Sequence, residues 1–204
     1  FIAIMKQYGP MLLRGTGMTL LISLVGTIVG FIIGLLVGII RTTPKPKKLG
    51  QRGLRAVINW LLSLYIEVFR GTPMIVQAAV LYYGAAQAWH LNMDRTTAAL
   101  LIVSINTGAY ISEIIRGGII SVDEGQFEAA NALGMTHLQT MMKVILPQAV
   151  RNSLPAVTNE FIVNIKDTSV LSVISVSELF FSGETIAGQS FQFFHTYLIA
   201  VSYT

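Results

Sequence analysis

The sequence contains no cysteine. That excludes disulfides, thiolate metal sites, cysteine nucleophiles and lipid-modified cysteines. Charge is also scarce, at 12% of residues, where a soluble domain carries about 25%. There is no Gly-x-x-x-x-Gly-Lys-Ser/Thr phosphate loop, so a standard ATP site cannot be built from this chain. No His-Glu-x-x-His or comparable metal pattern occurs among its three histidines, and no Ser-His-Asp arrangement stands out. Catalytic residues and metal ligands are therefore not expected, and an intramembrane enzyme is a distant class. What is present is apolar: 53% of the 204 residues are hydrophobic. Charge confined to short segments between long apolar runs indicates an integral, all-α membrane protein with one folded unit, residues 1–204.

The run from Gly17 to Ile40 carries no charge and is long enough to span a bilayer; the first helix is expected at about 16–41. Gly26, Gly30, Gly34 and Gly38 lie four apart on one face. Such a stripe admits another backbone closely in lipid, either within the same subunit or across a dimer. Arg41, Lys45, Lys47, Lys48, Arg52 and Arg55 follow with no acid, and Pro44 and Pro46 interrupt any helix. By the positive-inside rule this loop is cytoplasmic. Its place between two spans argues against nucleic acid as a partner.

The next apolar stretch, about 55–84, would be about 42 Å long as one helix, more than the hydrocarbon core of about 30 Å. Gly71 and Pro73 are expected to break it at 71–73. Glu67 and Arg70, three apart, could pair on one face. Residues 85–95, with Trp89, His90, Asp94 and Arg95, read as an outer loop with Trp89 at the interface. A third span is expected at about 96–118 and a fourth at about 156–177. A last, incomplete run at 191–204 is shorter than a span needs, and the chain opens at Phe1 without Met; the natural protein is expected to extend beyond both ends.

The fourth span carries Glu160, Lys166 and Asp167. A charge at mid-membrane costs roughly 2.5–3.5 kcal/mol on insertion scales, so it is kept where it faces a polar cavity or pairs within the bundle. At 100° per residue Glu160, Asn164 and Asp167 share a face, with Ser175 near it, and Lys166 points elsewhere. Asp167 is the candidate for a substrate ammonium group, with Glu160 and Asn164 extending the contact. Thr168, Ser169 and Ser172 supply hydroxyls, and Lys166 meets a carboxylate or a neighbouring helix. The alternative is that these groups clamp helices together.

Between the third and fourth spans, residues 120–155 are polar and amphipathic. Glu128 is read as opening a helical turn, Ala129, Ala130 and Leu133 as a small smooth face, and Gly134 as ending it in the left-handed region. Leu138, Met141, Met142 and Ile145 recur at helical spacing, and Pro147 is read as stopping or kinking that second helix.

This segment resembles the signature loop of ABC importer permeases: Glu-Ala-Ala, three residues, Gly, nine residues, Ile-x-Leu-Pro. Glu128, Ala129, Ala130, Gly134, Leu146 and Pro147 match, and Val144 replaces the preferred Ile. The runs Phe-Arg-Gly-Thr-Pro at 69–73 and Lys-Asp-Thr-Ser at 166–169 are similar to the polar amino acid subgroup of that family. The resemblance, over about residues 16–204, implies a type I importer permease fold of about five transmembrane helices plus a cytoplasmic coupling-helix hairpin. It implies that Glu128, Ala129, Ala130 and Gly134 dock an ATPase. It implies a second permease subunit, identical or not, an ABC ATPase dimer carrying the ATP and Mg, an extracytoplasmic substrate-binding protein, and a polar amino acid as substrate. No cofactor would be bound by this chain. The location implied is the bacterial inner membrane, multi-pass, and the charge pattern puts the N-terminus outside. The rival class is a secondary transporter or channel using Glu160 or Asp167; a purely structural membrane subunit would leave the polar stripe without a role.

Overall fold

The computed structural model describes residues 2–43 and 49–203. Pro44, Lys45, Pro46, Lys47 and Lys48 of the basic loop lie outside the described residues. Among the described residues every regular element is helical. Two helices are long and apolar enough to cross a membrane, α1 (Ile2–Thr42) and α5 (Arg95–Ile120). Two further helix pairs are long and apolar enough together but bent. One joins α2 (Leu49–Gly71) to α3 (Met74–Ala79), a π turn (Val80–Gly84) and α4 (Ala85–Trp89), with a bend of 111° at the break. The other runs from α7 (His137–Thr140) through a π turn (Met141–Ile145), α8 (Leu146–Asp167) and a 3-10 turn (Thr168–Ile174), then bends by 56° into α9 (Leu179–Ser190). Between α5 and α7 lies α6 (Glu124–Ala132), and a shorter apolar helix, α10 (Phe193–Tyr203), ends the described chain.

The packing of α1 on α5 is set by the glycine stripe. A Cβ on Gly26 would lie 2.5 Å from Val103 Cγ1, on Gly30 2.8 Å from Thr107 Cβ, on Gly34 2.7 Å from Ile111 Cγ2 and on Gly38 2.9 Å from Ile115 Cγ2. These are sub-contact distances, so the stripe is consumed within the subunit. The register is ascending on both helices, so α1 and α5 run parallel. Close approach of this kind replaces the hydrophobic drive that lipid cannot supply with dispersion and backbone proximity. The opposite sides of α1 and α2 expose Leu24, Ile28, Ile32 and Leu36, and Val57, Trp60, Leu61 and Leu64. Apolar side chains turned outward along two long helices suit a hydrocarbon environment.

Helix α1 begins well before residue 16. Its first third buries Ile4 and Leu12 against Leu179, Ile186 and Ile199 of α9 and α10, and this packing carries the helix through Pro10. The region read as an outer loop from residue 85 is helical to Trp89; only His90–Asp94 connect, with His90 left-handed at φ 53. Helix α5 then starts at an Asp94 N-cap, whose carboxylate accepts from Thr97 N at 3.1 Å. Pro147 stops nothing. It sits in the first turn of α8, where its missing N–H is spared by the preceding π turn. The fourth span is accordingly continuous with the second half of the hairpin.

Parallel α1 and α5 fix which segments share an end. Arg41 pairs with Glu113, which also accepts from Arg116 Nε at 2.9 Å. That end of the bundle therefore holds the start of the basic loop and the α6–α7 hairpin, and the other end holds the His90–Asp94 connection.

Candidate functional site

The hairpin is built by successive capping devices. Asp123 caps α6, accepting from Gly125 N at 2.8 Å. Glu128 therefore sits in mid-helix and not at the helix N-terminus. Past the last turn, Met135 N donates to Ala130 O at 3.1 Å and Gly134 N to Asn131 O at 2.9 Å, the paired bonds of a Schellman ending. Gly134 has φ 75 and no heavy atom within 4 Å of an added Cβ, so its conformation and not its space demands glycine. Thr136 and Gln139 then form a reciprocal capping box for α7. Glu128, Ala129 and Gly134 are exposed, whereas Ala130 is buried. Leu133 at 81% and Leu138 at 70% exposure give the knuckle an apolar tip. Helical spacing put Leu138 on an apolar face, but nothing in the sequence told which face would be left uncovered.

The polar residues of the fourth span do not converge on one point. Asn164 is buried between helices: its Nδ2 donates to Thr27 Oγ1 at 2.9 Å and its Oδ1 accepts from Thr107 Oγ1 at 3.1 Å. It joins α8 to α1 and α5. Thr168 is buried and donates to Ile165 O, and Ser169 donates to Lys166 O. Beyond Asp167 the backbone is 3-10, so the 100° periodicity that put Ser175 near the Glu160 face stops there. Lys166 and Ser169 line a separate cavity of about 190 Å³ with Thr19, Glu178 and Tyr197. Glu178, fully buried, is occupied as the cap of α9, accepting from Phe180 N at 2.8 Å and Phe181 N at 2.6 Å. Glu160 and Asp167 are both half-buried; Glu160 lies within electrostatic reach of Asp167 and Arg70, and Asp167 within that of Lys166.

Arg70 does not pair with Glu67. Its guanidinium lies over the ring of Tyr110, 5.3 Å from the centroid, a cation–π placement. Both residues line an open cavity of about 650 Å³ together with Arg41, Ser63, Glu67 and Glu113. This mixed-charge cavity between α1, α2 and α5 was not visible in the sequence as a unit, because it assembles residues from three helices. The one signal available was the charged pair Glu67 and Arg70 beside a helix break.

These features define a class: an all-α membrane fold with a broken apolar helix, charged groups lining an open cavity and a capped hairpin exposed at one end. A family model described as "Binding-protein-dependent transport system inner membrane component" matches residues 30–204, and the chain belongs to that family. The L-cystine transport system permease protein TcyB of Bacillus subtilis (strain 168) is 44% identical over 133 residues, 65% of this chain and 56% of that protein; the match spans little more than half of that relative. The glutamine transport system permease protein GlnP of Escherichia coli (strain K12) is 40% identical over 184 residues, 90% of this chain and 80% of that one. A crystal structure of an amino acid ABC transporter with histidines superposes with a TM-score of 0.84 at 36% identity, covering 99% of this chain and 89% of that chain. An inward-facing MetNI methionine ABC transporter gives a TM-score of 0.71 at 21% identity over 95% of this chain and 96% of the other; that likeness is one of fold.

Proposed function

We propose that this chain is the transmembrane subunit of an ATP-driven importer for polar amino acids in the bacterial inner membrane. The observation that carries the reading is the hairpin α6–Gly134–α7, a doubly capped and exposed knuckle with an apolar tip, in a chain whose relatives are amino-acid permeases. Glu128, Ala129 and Gly134, with Leu133 and Leu138, would seat in a groove of a separate ATPase that carries the ATP and Mg. Ala130 would support that surface from beneath. The excess of Arg and Lys at the hairpin end assigns it to the cytoplasm, and parity then puts the N-terminus outside.

A second permease subunit and an extracytoplasmic binding protein complete the assembly. ATP binding draws two such hairpins together. Because α7 continues through α8, a push on the hairpin moves the fourth span as a rigid body, and the pair of permeases changes the side it faces. The substrate path runs along the inner faces of α2, α5 and α8. Asp167 and Glu160 meet the ammonium group and Arg70 the carboxylate, since opposite charges attract strongly away from bulk water. Lys166, Ser169 and Ser172 lie beside this path, and Asn164 and Thr168 hold the helices that frame it.

The test is uptake by the complex reconstituted into proteoliposomes with its ATPase and binding protein. Asp167→Asn should lower ATP-driven uptake at least 10-fold, about the value of one charge-assisted contact, with assembly and ATP binding intact. Loss of assembly with normal uptake per assembled complex would make Asp167 a helix clamp. Uptake driven by an ion gradient without ATP would favour a secondary transporter instead.

A further inference from the structure

The break between α2 and α3 leaves a specific hydrogen-bonding deficit. In an unbroken helix the Phe69 carbonyl would accept from the N–H four residues on, but that residue is Pro73, which has none. Two side-chain amides fill the gap: Gln77 Nε2 donates to Phe69 O at 3.0 Å and Asn106 Nδ2 donates to the same oxygen at 3.2 Å. Gln77 Nε2 also reaches Thr72 O and Thr72 Oγ1, both at 2.9 Å. Asn106 Nδ2 donates further to Gln77 Oε1 at 2.9 Å. Both residues are 7% exposed, so the bonds lie largely away from bulk solvent. The end of α2 and the middles of α3 and α5 are thereby tied at one point.

Arg70 follows Phe69 directly, and Tyr110, on which it stacks, lies one turn beyond Asn106 on α5. The same two helices are fixed a turn earlier, where Tyr65 donates from its hydroxyl to Ile105 O at 2.6 Å. Two hydrogen bonds thus join α2 to α5 close to Arg70, and the one nearer in sequence belongs to the amide clamp.

We propose that Gln77 and Asn106 are positioning residues for substrate recognition. They bond the Phe69 carbonyl that Pro73 leaves without its helical donor and hold Arg70 over Tyr110, where it takes the carboxylate of the transported amino acid. The proposal rests on the reading that the chain carries an amino acid along this path. A clamp that served only to seal the break would stabilise the protein without acting through Arg70.

The two roles separate in a double-mutant cycle on the KM of uptake by the reconstituted complex. Absence of ATP-driven uptake by the wild-type complex would overturn the functional reading itself, independently of the clamp. With an active wild type, Gln77→Met should raise KM roughly 10-fold, the effect of losing a buried hydrogen-bonded anchor, with kcat within about two-fold. Arg70→Lys should raise KM by a similar factor. The double variant should be no worse than the poorer single one, since both changes act on one group. An unchanged KM for Gln77→Met, or a double variant whose defect is the product of the two, overturns the proposal. If Gln77→Met does not accumulate in the membrane, Asn106→Ala is read by the same cycle. Failure of both to accumulate while Arg70→Lys does would make the clamp a folding element and overturn it as well.

Discussion

Replacing Asn164 with leucine would leave Thr107 without its acceptor and Thr27 without its donor inside the bundle. Hydrogen bonds between membrane helices average about 0.6 kcal/mol each, and a stranded partner adds to that, so the expected destabilisation is about 1–2 kcal/mol. Thermal unfolding of the purified subunit reads it directly. The expected result is a lowered Tm with uptake per assembled complex retained; unchanged Tm with lost uptake would make Asn164 a substrate contact. The residue's helical phase was legible in the sequence, since Glu160, Asn164 and Asp167 do share a face of one helix. What that face meets was not, because the answer lies in Thr27 and Thr107, far away in sequence. Gly134 was legible for the opposite reason. A positive φ after a helix is a local requirement, and glycine announces it. Gly134→Val should cost about 1–3 kcal/mol at the turn and uncouple ATP hydrolysis from uptake, whereas Gly134→Asn, which tolerates that conformation, should retain coupling. Equal uptake by both variants would remove the turn from the coupling machinery.

At the level of elements, periodicity found the helices and missed their joins. The helix break between Gly71 and Met74 followed from length and Pro73, both local facts. The continuity of α7 with α8 did not, because Pro147 reads as a stop wherever the preceding backbone is assumed to be α-helical. The π turn at Met141–Ile145 removes the conflict, and nothing in those side chains signals it. The glycine stripe left two partners open, and the structure gives it to α5. A Cβ on Gly34 would come within 2.8 Å of the backbone nitrogen of Ser112, which cannot swing aside. Gly34→Leu is therefore expected to separate α1 from α5 at a cost of roughly 1–3 kcal/mol and to lower the yield of folded protein from membranes. Gly17→Ala, with nothing within 4 Å, should be neutral or gain about 0.5–1 kcal/mol from helix propensity. Equal yields for the two would mean that α1 and α5 do not need this close approach.

For the whole molecule, two features set the arrangement: α1 and α5 are parallel, and the hairpin belongs to the Arg41 end. Cysteine-free sequence makes the resulting topology accessible to single-cysteine labelling. Leu91→Cys, at a position 53% exposed, should react with a membrane-impermeant maleimide from outside intact cells, and Leu133→Cys only after permeabilisation. The reverse pattern would invert the orientation. The charged cavity is a property of this scale as well. Its walls come from three helices, so the sequence could offer Glu67 and Arg70 as a pair on one helix but not the cavity they help to line. The central claim is that this subunit converts an ATPase cycle into movement of an amino acid, and one measurement addresses it without any mutation. In proteoliposomes holding the complex with its ATPase, the loaded binding protein is supplied outside and ATP inside. The account predicts uptake of a polar amino acid that stops when ATP is withheld and ATPase activity that rises when the loaded binding protein is added. Accumulation of the amino acid without ATP, driven by an ion gradient alone, would contradict it.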